Sequence, residues 1–261
     1  MLFAIDIGNS NIHVGFFDCD KLVHTFRLGT DKNRTSDEYA LLLKSISELS
    51  GYKMNEFDGA IIGSVVPSVT SIIQSAVSSM LNISTVIVGP GVRTGFPIKL
   101  DDPSELGADL AANTSGAIVK VGAPTIVIDF GTATTISVID ETKAYIGGSI
   151  MPGIQMSLDA LQNTGLLPGV AVDKTVPHIG KNTKDCMFAG VLRGQAFAIQ
   201  GFVNSYREIF FGNANVNIAV SGGFAKTILP YLPEEAKYIP NLTLEGLNAI
   251  YKNNKVISRR K

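Results

Sequence analysis

Two short stretches carry the residues best suited to chemistry. Ile5-Asp6-Ile7-Gly8-Asn9-Ser10-Asn11 and Ile128-Asp129-Phe130-Gly131-Thr132-Ala133-Thr134 share one template: apolar, Asp, apolar, Gly, Asn/Thr, small, Asn/Thr. An apolar run enters each and another leaves it, so each reads as strand, tight turn, strand. Gly and Asn tolerate positive φ in such turns, and Asn and Ser bond to nearby backbone. Exposed turn amides bind phosphate oxygens, and a carboxylate at the strand end holds a metal directly or through water. Taken alone, Asp6 reads equally well as a solvated acid beside an ordinary first hairpin. The second copy favours the phosphate reading. The two copies lie too far apart for a solenoid repeat. They fit two similar domains, each opening with a phosphate-binding hairpin, facing each other across a cleft.

The elements that must hold these turns follow from periodicity. After the first hairpin, Lys21–Leu28 reads as a third strand. Thr35–Ser50 carries Tyr39, Leu42, Leu43, Ile46 and Leu49 at helical spacing, with a cap at Thr35 or Ser36. Gly59–Val66 is a buried strand stopped by Pro67, Ser68–Leu81 a helix and Ser84–Val88 a strand. Asp102-Pro103-Ser104-Glu105 has the residues of a helix start, and that helix carries Leu106, Asp109, Leu110, Asn113 and Ala117 to about Gly122. Asp109 and Asn113, four apart, share a helix face. The second half restarts with Thr125–Asp129, then Ile136–Ile139 and Lys143–Gly147 as strands. Gly147–Gly153 reads as a Gly/Pro-rich loop, Ile154–Leu161 as a helix and Leu166–Asp173 as loop. Thr183–Phe210 is a long helical region containing Gly190 and Gly194. Asn215–Ser221 is a strand closed by Gly222-Gly223, followed by helices at Phe224–Leu229 and Thr243–Lys252. The domains are expected at 1–115 and 116–261.

Composition narrows the classes. The net charge is −1, so no broad field draws the chain to nucleic acid or anionic lipid. Cys19 and Cys186 lack metal or redox spacing and read as free thiols of a reducing cytoplasm. No basic stretch precedes the first strand, which argues against a signal peptide. No apolar run is expected to approach a membrane span. Gly180-Lys181-Asn182-Thr183 lacks the upstream glycine of a P-loop, with Thr175 in its place. Gly89–Gly95 is one residue off the dinucleotide fingerprint.

Two β-β-β-α-β-α halves, each with an Asp-x-Gly hairpin, and a late Gly-Gly closing a strand resemble the acetate and sugar kinase/Hsp70/actin superfamily. The resemblance implies two ribonuclease H-like α/β domains of the actin/Hsp70/sugar kinase type with the cleft between them. In detail the chain is similar to the type III pantothenate kinase family. The matching pieces are Asp6-Ile-Gly8-Asn9-Ser-Asn11, Gly89-Pro-Gly-Val-Arg-Thr-Gly95, Gly107-Ala108-Asp109, Asp129-Phe-Gly131-Thr132-Ala-Thr134-Thr135, Gly147-Gly-Ser-Ile-Met-Pro-Gly153, Gly180-Lys-Asn-Thr183 and Ser221-Gly222-Gly223. They fall in family order over essentially the whole chain.

The resemblance implies ATP-dependent phosphorylation of pantothenate to 4'-phosphopantothenate, the first step of coenzyme A synthesis. It implies ATP, Mg2+ and a monovalent cation, K+ or NH4+, in a cytoplasmic homodimer with no nucleic-acid or membrane partner. Asp109 would be the base. Asp6, Gly8, Asn9, Ser10, Asn11 and His13 would cover the first phosphate loop, with Asp6 beside Mg2+, through water or directly. For His13 a plain structural role fits about as well. Thr132 would be the second phosphate-loop contact, Asp129 the monovalent-cation ligand, and Gly222 and Gly223 would lie by adenosine. Gly107, Ala108, Asp109, Leu110 and Thr183 would line the pantothenate site, Thr183 from across the dimer interface. A helix N-cap role suits Thr183 equally well. The family pattern has Arg where Leu110 stands. Leucine offers neither charge nor hydrogen bonds to an anionic ligand. That departure motivates the alternative of a catalytically impaired or substrate-shifted paralogue with a regulatory or accessory role.

Overall fold

The computed structural model describes residues 1–81, 83–163, 176–212 and 214–258. The chain forms two compact units, Met1–Lys120 with Leu242–Lys261, and Val121–Asn241.

In the first unit, β1 (Leu2–Ile7), β2 (Asn11–Asp18) and β3 (Lys21–Gly29) form an antiparallel meander. Next come α1 (Ser36–Leu49), β4 (Gly59–Ser64), α2 (Pro67–Leu81), β5 (Thr85–Ile87) and α3 (Ala108–Lys120). The sheet order is β3-β2-β1-β4-β5, and β1, β4 and β5 are parallel. Alternation sorts its faces. Phe3, Ile5, Ile7, Ile12, Val14, Phe16 and Ile62 pack with Tyr39 and Leu43 of α1 and Val69, Ile73 and Val77 of α2. Thr35 caps α1 in a reciprocal box with Glu38, as its spacing predicts.

The other face of this sheet is lined by small residues, and the last helix lies on it. A Cβ at Gly15 would come within 2.9 Å of Leu244, and one at Gly63 within 2.9 Å of Leu247; Gly59 has no room for one under Tyr251. These three residues belong to α8 (Leu242–Ser258). Gly116 of α3 and Gly246 of α8 leave each other's helix backbone no space for a side chain. Thr243 Oγ1 donates to Asn113 Oδ1 at 2.8 Å, and Lys120 pairs with Glu245 at 2.8 Å. The expected domain division at 115 and 116 therefore moves. Sequence order places Thr243–Lys252 in the second half, whereas its packing returns the helix to the first.

The second unit repeats the plan. β6 (Thr125–Phe130), β7 (Ala133–Ile139) and β8 (Tyr145–Pro152) are antiparallel, and β9 (Asn217–Ser221) and β10 (Ala236–Tyr238) are parallel to β6. The order is β10-β9-β6-β7-β8, the same as the first sheet read in the corresponding strands. Its core gathers Ile126, Ile128, Phe130 and Ile136 with residues of α4 (Ile154–Gln162), α5 (Thr183–Phe188), α6 (Gly194–Phe211) and α7 (Ala225–Ile228).

Four local expectations change. Gly147–Pro152 is strand, not loop: it pairs with β7, and Gly148 lies against Ile136 with no room for a Cβ. The helix expected from Asp102 is instead one 3-10 turn, Pro103–Glu105, capped by Asp102, then an extended Leu106 before α3. The helical region from Thr183 contains a π turn at Ala189–Arg193 between α5 and α6. That run, Thr183–Phe211, is 29 residues and long and apolar enough by composition to cross a membrane, contrary to the sequence reading. Its Met187, Phe188, Leu192, Ala196, Ile199 and Val203 are core residues of the second unit, which accounts for the apolar character. The loop expected at Leu166–Asp173, and Thr175, lie outside the described residues.

Candidate active site

The first turn is fastened from two sides. Gly8 N–H donates to the Asn11 carbonyl at 3.0 Å. Thr30, just beyond β3, donates its hydroxyl to the Gly8 carbonyl at 2.7 Å and its N–H to the Ser10 carbonyl at 3.1 Å. The Gly8, Ser10 and Asn11 carbonyls are thereby occupied, while residues Asn9, Ser10 and Asn11 remain exposed. Their short polar side chains are what the turn presents outward. Asp6, half-buried, stands one residue before the end of β1, in register with His13 of β2 and Gly63 of β4. His13 in turn faces Arg27 of β3. Burial, and then the Arg27 charge, lower the His13 pKa to about 4, so the ring is neutral at pH 7.

The second turn is held differently. Gly131 N–H donates to the Ala133 carbonyl at 3.1 Å. Buried Thr134 donates to Gln195 Oε1 at 3.1 Å, and Gln195 Nε2 donates to the Pro152 carbonyl at 2.7 Å, tying β7, β8 and α6 together. Gly153 abuts the Thr132 and Gly131 carbonyls with no space for a Cβ. Asp129 is half-buried and in register with Ser221 at the end of β9. Its Oδ2 would be 3.2 Å from a Cβ on Gly131, so the carboxylate curls over the turn. Gly222, at φ 100°, lies against the Phe130 backbone, and Phe224 N–H donates to the Phe130 carbonyl at 3.3 Å. The second unit thus brings together Asp129, exposed Thr132, Gly222 and exposed Gly223.

Asp109 lies in the first turn of α3, not in its middle turns, because the helix starts at Ala108. Its Oδ1 accepts from Leu110 N–H at 2.8 Å. A Cβ on Gly107 would come within 2.7 Å of that oxygen, so glycine there leaves the carboxylate its space. The helix N-terminus favours a negative charge. Leu110 is half-buried beside it. Asn113 shares the face by spacing but is buried and bonded to Thr243. The Arg93 backbone is bonded to Asn254 near the end of α8. Thr183 is exposed and opens α5 as its first residue; the N-cap is Asn182, whose Oδ1 accepts from Asp185 N–H at 2.9 Å.

Thr30 and Gln195 hold the turns and carry no local signal that marks them, whereas Gly153 closes the Gly/Pro-rich stretch already visible in the sequence. Thr30 and Gln195 each act on a turn distant in the chain.

Among the described residues, no three His, Cys, Asp or Glu cluster to make a metal centre. A divalent ion bound with a nucleotide is ordinarily held by one or two carboxylates plus substrate phosphates. Asp6 beside an amide-bearing turn has the right donors for it. Asp129, curled over a turn whose neighbouring groups are hydroxyl and carbonyl oxygens, has hard donors suited to a monovalent ion.

Comparison with known proteins gives one family. A model of type III pantothenate kinase matches residues 2–205. The type III pantothenate kinase of Exiguobacterium sp. is 40% identical over 256 residues, covering 97% of this chain and 99% of that protein. That of Moorella thermoacetica is 38% identical over 255 residues, covering 97% and 100%. Among solved structures, the (R)-2-hydroxyglutaryl-CoA dehydratase component A of Acidaminococcus fermentans superposes with TM-score 0.60 at 14% identity, covering 98% of each chain. The ROK hexokinase of Thermus thermophilus gives 0.53 at 11%, covering 98% of this chain and 99% of that one. These two likenesses bear on the fold alone, and they agree with the two-unit α/β architecture.

Proposed function

The chain belongs to the type III pantothenate kinase family, and on that premise we propose that it transfers the γ-phosphoryl group of ATP to the primary hydroxyl of pantothenate. The products are ADP and 4'-phosphopantothenate, at the first step of coenzyme A synthesis. The observation that carries this reading is the repeated Asp-x-Gly turn at the head of two sheets with the same strand order, with Asp109 at a helix start in the same unit as the first turn.

Asp109 is the base. As the pantothenate oxygen bonds to the γ-phosphorus, the hydroxyl proton passes to the Asp109 carboxylate. The bond from that phosphorus to the β–γ bridging oxygen breaks, and ADP leaves. Gly107, Ala108 and Leu110 flank the carboxylate and line the pantothenate side, and Thr183 reaches it from a second subunit of a homodimer. The Gly8–Asn11 turn, through the groups left exposed at Asn9, Ser10 and Asn11, and the Thr132 hydroxyl hold phosphate oxygens. His13, a neutral ring beside Asp6, serves the first loop. Gly222 and Gly223 present backbone to adenosine. Asp6 would hold Mg2+, directly or through water, and the ion would neutralise charge on the phosphates. Asp129 would hold K+ or NH4+. Exposed Cys19 and Cys186, both free thiols, suit a cytoplasmic location.

The test is product identity. Protein incubated with ATP, Mg2+ and K+ is expected to yield phosphopantothenate by mass spectrometry only when pantothenate is present. Folded, ATP-binding protein that gives no phosphorylated pantothenate would overturn the assignment.

A further inference from the structure

Neither Asp-x-Gly turn contains a lysine or arginine: residues 5–13 and 128–135 carry none. A triphosphate bound there meets amides, hydroxyls and a metal, but no side-chain cation from the turns. The first sheet supplies one in a defined place. The register runs Asp6 to His13 across β1 and β2, and His13 to Arg27 across β2 and β3. Directly opposed residues of antiparallel strands share a face. Arg27, His13 and Asp6 are therefore one row on one face, at the end of the sheet where the Gly8–Asn11 turn lies. Two strand spacings, about 10 Å, separate the first backbone from the last. Thr30, three residues after Arg27, bonds twice to the turn. That fixes the end of β3 against it.

Arg27 is exposed, and among the described residues no carboxylate lies within ion-pair distance of it. By contrast Arg34 pairs with Asp31, Arg207 pairs with Glu235, and Arg193 donates to the Val176 and Pro177 carbonyls. A guanidinium kept clear of acids at the rim of an amide-bearing turn is suited to phosphate oxygens.

We propose that Arg27 is the side-chain cation of the first phosphate subsite, contacting the triphosphate of the nucleotide beside the Gly8–Asn11 turn. The inference rests on the reading of that turn as a phosphate loop. It concerns binding of the nucleotide and does not depend on which alcohol receives the phosphoryl group.

The test is titration calorimetry of wild type, Arg27→Ala, Arg27→Lys and the surface control Lys44→Ala with Mg-ATP and, separately, with adenosine. Arg27→Ala is expected to weaken ATP about ten- to hundredfold, the loss of one or two charge-assisted hydrogen bonds. Adenosine affinity should be unchanged and Arg27→Lys should recover part of the loss. Thermal unfolding of Arg27→Ala should match wild type, since the side chain is on the surface. In turnover, the loss should fall on the KM for ATP and leave the KM for pantothenate alone. An ATP-to-adenosine affinity ratio unchanged in Arg27→Ala overturns the inference, even if the protein phosphorylates pantothenate. An Arg27-dependent ratio in a protein that does not phosphorylate pantothenate upholds it, and the kinase assignment fails by itself.

Discussion

Gly222 and Gly223 are adjacent and chemically identical, yet their surroundings differ. Gly222 sits at φ 100° with the Phe130 backbone where a side chain would go, whereas a Cβ on Gly223 would meet open space. Gly222→Ala should destabilise the protein by about 2 kcal/mol or more, from strain and overpacking together. Gly223→Ala should cost at most about 1 kcal/mol and should weaken ATP if the exposed backbone there approaches adenosine. Chemical denaturation of both variants checks the pair; equal stabilities would contradict the packing account. Leu110 offers a second contrast. Leu110→Arg adds a fork beside Asp109, and a charge-assisted bond of about 1.5–3 kcal/mol to the pantothenate carboxylate should lower the KM for pantothenate about tenfold or more. An unchanged KM would show that this position does not face the acid. The aspartates and glycines of both turns were legible in the sequence because the template recurs with its spacing intact. Arg27, Thr30 and Gln195 were not, because what matters about each is the strand or helix opposite it.

At the scale of the element, α8 is the clearest departure from sequence order. Its periodicity marks it as a helix, but nothing local says which sheet it covers. The information is spread over Gly15, Gly59, Gly63 and Gly116, whose missing side chains make the seat. A chain ending at Asn241 should therefore lose cooperative unfolding of the first unit while the second keeps its own core. Gly246→Val, pushing into the α3 backbone, should cost about 3 kcal/mol. A truncated chain whose first unit still unfolds cooperatively would contradict this placement. The far end of α8 is tied by Lys255, which donates to Asp58 at 2.8 Å, and the N-terminal ammonium also reaches Asp58, at 3.0 Å. Lys255 first, and the N-terminal ammonium with it, lower the Asp58 pKa to about 2. A carboxyl depressed in the fold stabilises above its unfolded pKa of 3.8 and loses that contribution as pH falls through about 2. Asp58→Asn should therefore lie below wild type at neutral pH, with the gap closing between about pH 4 and pH 2. A gap constant over that window would contradict it.

At the scale of the molecule, one strand order occurs twice, and each copy begins with the same turn. The order was legible because strand, turn and strand recur with like spacing in both halves. The shift of β8, the break before α3 and the π turn after α5 were not, since each depends on glycine contacts or cap geometry settled by neighbouring elements. The duplicated turn and the acid at the start of α3 make one claim: a phosphoryl group moves from ATP to an alcohol with Asp109 taking the proton. The most direct measurement is ADP formation from ATP in K+ and Mg2+, with and without pantothenate, for wild type and Asp109→Asn. ADP release that requires pantothenate, and that falls at least about a hundredfold in a folded Asp109→Asn variant, is the expected result. Pantothenate-dependent turnover that survives the substitution would contradict the role given to Asp109, and wild type without any such turnover would contradict the kinase itself.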